Sequence, residues 1–182
     1  MNLALNTLVF LVTLAGMEAF AWFAHKYIMH GWGWGWHRSH HEPQQGWFEA
    51  NDLYALVFAG VAIVLIALGT SGWHPLEWVG AGMTGYGVLY FLAHDGLVHR
   101  RWPFHYVPRR GYLKRLYQAH RLHHAVHTRD GCVSFGFLYA PSPARLKQAL
   151  NRVRRQRAQG GASGPADSRD RLGAAKACDS AN

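Results

Sequence analysis

Three long stretches of this chain are apolar and almost free of charged side chains. Between residues 1 and 24 the only charged side chain is Glu18, and the stretches 53–76 and 78–94 have none. A helix that crosses a bilayer needs about 20 mainly apolar residues. The pattern therefore predicts membrane-spanning helices over 3–24, 53–70 and 76–93, with continuation of the last one to residue 98 as an alternative. The predicted fold class is an all-α polytopic membrane protein with about three transmembrane helices, or four as the alternative.

The basic residues predict how these spans are oriented. Of the 19 Lys and Arg, 17 follow His99, and the other two, Lys26 and Arg38, lie between the first and second spans. Loops rich in Lys and Arg stay in the cytoplasm. Three spans then place the N-terminus outside and a helical cap with every basic segment inside. The first stretch is too long for a signal peptide and lacks its basic start, so we expect it to be retained as a membrane span.

The sequence divides into three regions. Residues 1–141 are predicted to form a membrane-embedded domain. In 142–158, Leu146, Leu150 and Val153 fall on one stripe of a basic amphipathic helix, which suits an anionic membrane surface. Residues 159–182 are rich in Gly, Ala, Ser and Asp and are predicted to be disordered. Membrane topology accounts for the net charge of +9, and with no recognition motif present we expect no nucleic acid partner.

Thirteen histidines in 182 residues are the main chemical feature. Ten of them follow a pattern that occurs twice, H-x4-H and then H-x2-H-H, before and after the second and third spans. They are His25, His30, His37, His40 and His41, then His94, His99, His120, His123 and His124. The members of H-x2-H-H share one helical face. In H-x4-H the rings diverge by about 140° on an ideal α-helix, so we expect these pairs at a helix end or divided between two metals.

Three spans bring all four histidine motifs to the same membrane surface. Ten imidazoles are more than one metal binds and suit two, and all-imidazole sites suit Zn, Cu, Fe or Ni. Structural zinc commonly uses Cys, whereas Cys132 and Cys178 have no metal-binding spacing. Two redox metals at a membrane surface favour oxygen chemistry. We expect His74 to be an ordinary turn residue, and we leave His105 and His127 outside the ligand set.

Three carboxylates lie near the histidine motifs in the sequence. Metal-bound histidines usually donate their second N–H to a carboxylate or a carbonyl. Glu18 lies seven residues before His25, on the same helical face, and Asp95 adjoins His94. Both are candidates for this outer role. Asp95 and Glu42 are the weaker ones, because side chains of adjacent residues point apart.

These motifs carry a resemblance to a known family. The histidine pattern resembles that of the membrane di-iron fatty acid hydroxylase superfamily. The segments AHKYIMHGWGWGWHRSHHEP, YFLAHDGLVHRRWPF and GYLKRLYQAHRLHHAV are similar to those of its bacterial β-carotene hydroxylases. The resemblance covers about residues 17–141, and all ten ligand positions of the family are filled by the ten histidines above.

The resemblance implies a specific activity. It implies a monooxygenase with two Fe²⁺ ions that uses O2 and electrons from reduced ferredoxin and its reductase. The implied reaction hydroxylates carbon 3 of the β-ionone rings of β-carotene, giving β-cryptoxanthin and then zeaxanthin, with ketocarotenoids towards astaxanthin as further substrates. The residues agree with an external electron source, because the chain has no dinucleotide-binding or haem-attachment motif. A basic cytoplasmic face would attract an acidic carrier.

Other readings of the sequence stay open. One is another membrane di-iron lipid oxygenase, such as a fatty acid or sterol hydroxylase or desaturase. Another is a protein without enzymatic activity, either a metal transporter or a haem-binding membrane protein. Transport sites need ligands near the middle of the bilayer, whereas these histidines fall at the ends of the spans.

Overall fold

The computed structural model describes residues 2–43, 46, 48–101 and 106–160. Within these residues all regular structure is helical and there is no strand, which confirms the all-α prediction. The elements in chain order are α1 (Leu3–Phe23), π1 (Ala24–Trp32), α2 (Trp34–His41), α3 (Asp52–Thr70), α4 (Leu76–Tyr90), π2 (Phe91–Val98), α5 (Gly111–His123) and α6 (Pro143–Gly160).

Two helices of the described chain are long and apolar enough to cross a membrane. They are Leu3–Trp32, which joins α1 to π1, and Asp52–Thr70, which is α3. Many of their large apolar side chains are exposed, among them Leu8, Val12 and Val64, as expected of a surface in contact with lipid. The third predicted span corresponds to α4 followed by π2. The number of spans stays a prediction.

Helix α4 lies between α1 and α3. Its glycines allow this close approach on both sides. A Cβ atom at Gly80 would lie 2.7 Å from the carbonyl oxygen of Ala62 in α3, and one at Gly82 would lie 2.8 Å from that of Phe10 in α1. Small residues commonly permit such packing between helices in membranes. The short turn between α3 and α4 makes these two helices a helical hairpin.

Both H-x4-H motifs lie where an α-helix changes into a π-helix. Helix π1 contains His25 and His30, and π2 contains His94 and ends just before His99. The backbone N–H of His99 donates to the carbonyl of His94 at 2.9 Å, which is the i to i+5 bond that defines a π-helix. Residues five apart thus lie on successive turns. The divergence expected for an ideal α-helix does not apply, because the helix is not α at these positions.

Helices α5 and α6 form a second layer beside the histidine region. Their core is apolar and consists of Leu116, Ala119, Val133, Ala140, Leu146 and Leu150. The apolar stripe of the predicted surface helix therefore packs against α5 at Leu146 and Leu150, rather than being free to face lipid. The predicted disordered tail falls almost entirely at 161–182, outside the described residues.

Candidate metal centre

The structure brings the ten histidines of the duplicated pattern together in two groups. In the first, which we call cluster A, one nitrogen of each residue lies within 4.8 Å of the others. Cluster A contains His25, His30, His37, His41 and His123. The second, cluster B, contains His40, His99, His120 and His124, and His94, whose Nε2 is 3.0 Å from that of His40. Each cluster thus holds five imidazoles.

Each H-x2-H-H motif contributes to both clusters. In α2 the outer two histidines belong to cluster A and His40 belongs to cluster B. At the end of α5 the outer two belong to cluster B and His123 belongs to cluster A. The exchange is reciprocal, so each half of the duplicated pattern supplies one residue to the other half. Neither five-histidine cluster is therefore complete with residues from one half of the pattern alone.

The Nε2 atoms point inward in both clusters. The Nε2–Nε2 distances in cluster A are 3.1 Å for His25 and His37, 3.2 Å for His30 and His123, and 3.2 Å for His37 and His41. In cluster B they are 3.0 Å for His40 and His94, His99 and His120, and His120 and His124. Two nitrogens bound at right angles to one metal, each about 2.1 Å from it, would be about 3.0 Å apart. The donor sets therefore fit two metal ions.

Hydrogen bonds to the outer nitrogens orient seven of the ten rings. The Nδ1 acceptors are Phe135 O for His25, Arg129 O for His30, Asn51 Oδ1 for His37, Glu49 Oε1 for His40, Val126 O for His41, Asp95 Oδ1 for His94 and Val133 O for His123. Carbonyl and carboxylate oxygens can only accept, so the proton resides on Nδ1. The lone pair of Nε2 then faces the cluster, as a metal ligand requires.

Burial keeps these imidazoles neutral. It lowers the pKa of His37 to about 3, that of His41 to about 4 and that of His124 to about 2. The pKa of His40 also falls well below its usual value, first through burial and then through the neighbouring histidines. At neutral pH each nitrogen lone pair is therefore free of a competing proton.

Glu18 contacts none of the ten rings directly. Its carboxylate accepts the backbone N–H groups of Phe137 at 3.0 Å and Tyr139 at 2.8 Å, and the hydroxyl of Tyr86 at 2.7 Å. The ring of Phe137 stacks on His25 with a centroid distance of 4.9 Å. Glu18 thus holds the loop whose Phe137 ring packs against cluster A.

The other two predicted carboxylates have different surroundings. Asp95 accepts a hydrogen bond from Nδ1 of its neighbour His94 at 2.6 Å, although adjacent side chains were expected to point apart. Glu42 pairs with Arg38 at 2.6 Å on the surface and does not touch a ring of either cluster.

Sequence reasoning missed three residues at the site. Glu49 accepts from His40 at 2.7 Å, Asn51 accepts from His37 at 2.7 Å, and Arg101 contacts Glu49 at 2.9 Å. Burial raises the pKa of Glu49 to about 7, and Arg101 opposes that rise. A usable signal was the polar stretch 49–52 immediately before an apolar span, which places acceptors at the level of the histidines.

Of the three remaining histidines, His74 and His127 lie in the described part of the chain, and neither belongs to a cluster. His127 donates from Nδ1 to the backbone carbonyl of His41 at 2.7 Å and is exposed. His74 lies in the α3–α4 turn, where it contacts Glu77. His105 falls outside the described residues.

A cavity of about 540 Å³ lies beside the clusters, bounded by residues that contact their rings. Its walls are mainly apolar side chains of α1, α3 and α4, such as Phe20, Phe58 and Met83. Asn51 and Asp95, which hold His37 and His94, also line it. The wall of this apolar cavity therefore includes a hydrogen-bond partner of each histidine cluster.

The described residues form an all-helical fold of membrane type, with two apolar helices long enough to cross a bilayer and two histidine clusters whose geometry suits metal ions. The model of the fatty acid hydroxylase family matches residues 10–140. The chain belongs to the fatty acid hydroxylase family.

Curated relatives are similar over most of the chain. A beta-carotene hydroxylase of Pantoea ananas is 62% identical over 88% of this chain and 95% of its own length. One of Pseudescherichia vulneris is 66% identical over 84% and 86%, and one of Paracoccus sp. (strain PC1) is 58% identical over 80% and 90%. No solved structure matches the chain significantly.

Proposed function

We propose that this protein is a membrane di-iron carotenoid hydroxylase. It adds one oxygen atom from O2 to carbon 3 of the β-ionone rings of β-carotene, giving β-cryptoxanthin and then zeaxanthin. The observation that carries the proposal is the pair of five-histidine clusters beside an apolar cavity whose lining residues contact rings of both clusters. The names of the relatives, three bacterial beta-carotene hydroxylases, support the same substrate class.

Clusters A and B would each hold one iron ion. When bound, the irons supply the activation of O2 that insertion into an unactivated C–H bond requires. Imidazole suits iron among other metals, and ten neutral imidazoles add no negative charge to the centre. The protein contributes fixed ring orientations, through the acceptors of Nδ1, and a buried site from which bulk water is excluded.

The cavity suits a long hydrocarbon substrate. β-Carotene has no polar group, so it gains free energy by burying its surface against apolar side chains. Two aromatic rings line the cavity and also touch the clusters. Phe137 stacks on His25, and Tyr90 stacks on His94 with a centroid distance of 4.5 Å. Packing against these rings would orient a β-ionone ring, while the remaining polyene extends along the helices into lipid.

The reaction needs electrons from outside the chain. Insertion of one oxygen atom of O2 into a C–H bond consumes two electrons and two protons and releases water. We propose ferredoxin and its reductase as the source. A groove of about 440 Å³ on α5 is lined by Lys114, Arg121 and Lys147, and its charge suits an acidic carrier.

The position of the groove also suits electron transfer. On α5 the groove residues and the cluster histidines are centred roughly 135° apart around the helix axis. A carrier in the groove would thus be separated from the clusters by about one helix diameter, about 10 Å.

The proposed location is the inner membrane of a bacterium, with the metal centre on the cytoplasmic side. The distribution of Lys and Arg supports this orientation. Between spans one and two there are two basic residues, and after the third span there are 17. The same side is accessible to a soluble electron carrier.

Expression in cells that accumulate β-carotene tests the proposed function. We expect zeaxanthin and β-cryptoxanthin in air by pigment chromatography, and neither without oxygen. The variant His40→Ala should insert in the membrane at the normal level but form no product. Unchanged β-carotene together with oxidised fatty acids or sterols would instead indicate another lipid oxygenase of the same family.

A further inference from the structure

The two histidine clusters differ in the charge of the groups that surround them. All five histidines of cluster A donate Nδ1–H to uncharged oxygens, namely four backbone carbonyls and the amide of Asn51. In cluster B, His40 donates to the Glu49 carboxylate at 2.7 Å and His94 donates to the Asp95 carboxylate at 2.6 Å. The clusters are equal in number of imidazoles but unequal in their outer partners.

Arg101 pairs with both of these carboxylates. Its guanidinium lies 2.9 Å from Glu49 and 3.7 Å from Asp95, and it also pairs with Asp52 at 2.7 Å. The side chains of Arg101 and Glu49 are only 17% and 6% exposed. Water therefore screens these charges weakly. With three carboxylates to one guanidinium, the surroundings of cluster B carry net negative charge.

An outer carboxylate changes the imidazole that donates to it. It attracts the Nδ1 proton, which raises the basicity of Nε2 and makes the ring a stronger metal ligand. Cluster B has two such rings, and cluster A has none among the five described. A stronger and more negative ligand set stabilises the higher oxidation state of a bound metal.

We propose that Glu49 and Asp95, held by Arg101, make cluster B the more electron-rich of the two metal positions. This inference rests on the proposed di-metal function of the centre. It assigns Glu49, Asp95 and Arg101 as positioning residues that tune one metal position and not the other. The metal of cluster A would then be the more easily reduced of the two.

Mössbauer spectroscopy of the full-length protein, purified in detergent and loaded with ⁵⁷Fe, tests this asymmetry. We expect two quadrupole doublets of equal area. The isosteric variants Glu49→Gln and Asp95→Asn each remove one charge and leave an oxygen that accepts from the same histidine. Each variant should shift one doublet, which represents half of the iron, and should leave the other doublet unchanged. Arg101→Gln should shift the same half.

Asn51→Asp is the matched control, because it places a carboxylate behind His37 in cluster A. It should shift the other doublet and bring the two closer together. A thermal unfolding curve for each variant checks that the fold is retained, and a purely structural role would not select one doublet.

The outcomes separate this inference from the proposed function. Two results would overturn the asymmetry even if the protein still hydroxylates carotene. One is a single doublet in the unsubstituted protein, and the other is that Glu49→Gln and Asp95→Asn each shift both doublets. A chain that binds no iron and forms no hydroxylated carotenoid would overturn the proposed function together with the inference.

Discussion

The Nε2 atoms of His40 and His94 lie 3.0 Å apart, although the two residues belong to different halves of the duplicated histidine pattern. His40 comes from the first H-x2-H-H motif, yet its ring is in the cluster that the second half dominates. His123 makes the reciprocal exchange. Each of the two proposed metal positions therefore includes histidines from both halves of the pattern.

This exchange predicts how single histidine variants group. His40→Ala should weaken the same iron as His99→Ala, and His123→Ala should weaken the same iron as His25→Ala. Iron content and Mössbauer spectra of the four purified variants measure this. If His40→Ala instead weakened the same iron as His37→Ala, which belongs to the same H-x2-H-H motif, the assignment of the clusters would be wrong.

Glu18 should stabilise the protein through the 137–139 loop. Its carboxylate accepts several backbone N–H groups, and a hydrogen bond to a charged group contributes about 1.5–3 kcal/mol. Glu18→Ala should lower the melting temperature in detergent and reduce hydroxylation, because the loop holds Phe137 against His25. Tyr86→Phe removes only the hydrogen bond from the Tyr86 hydroxyl to Glu18 and should have a smaller effect. Equal stability of Glu18→Ala and the unsubstituted protein would contradict this role.

Filling the cavity should block the substrate while the metals stay bound. Gly87 lines the cavity, and a Cβ atom there would meet no neighbour within 4 Å. Gly87→Leu is therefore expected to fold, retain its iron and lose at least about tenfold in carotene turnover, an estimate based on about 1.4 kcal/mol of lost binding. Gly60→Leu is the control, since Gly60 has similar open space but does not line the cavity. Equal turnover in the two variants would exclude the cavity as the substrate site.

Charge reversal in the basic groove should weaken the electron donor. Lys114→Glu and Lys147→Glu place negative charge where an acidic carrier would bind. We expect KM for ferredoxin to rise by about tenfold, with a weaker dependence on salt. Arg154→Glu, on an exposed part of α6 outside the groove, should change KM little. The groove would not be the ferredoxin site if all three variants had the same KM for ferredoxin. The same conclusion would follow if turnover with a small chemical reductant fell as much as turnover with ferredoxin.

The sequence allowed the histidine set to be predicted, because one spacing pattern occurs twice and membrane topology brings both copies to one side. It did not allow the exchange of His40 and His123, since that depends on how α2 and α5 approach each other. The π-helical turns were also missed, because ring directions were measured on an ideal α-helix. Likewise, the apolar stripe of α6 cannot distinguish lipid from α5, which covers Leu146 and Leu150.

Isotope labelling tests the central claim most directly. The purified iron-loaded protein is supplied with β-carotene, reduced ferredoxin and ¹⁸O2, and the products are analysed by mass spectrometry. The account predicts one ¹⁸O atom in each hydroxyl group at carbon 3, with no product from His40→Ala. Hydroxyl oxygen derived from water, or undiminished product from His40→Ala, would contradict it.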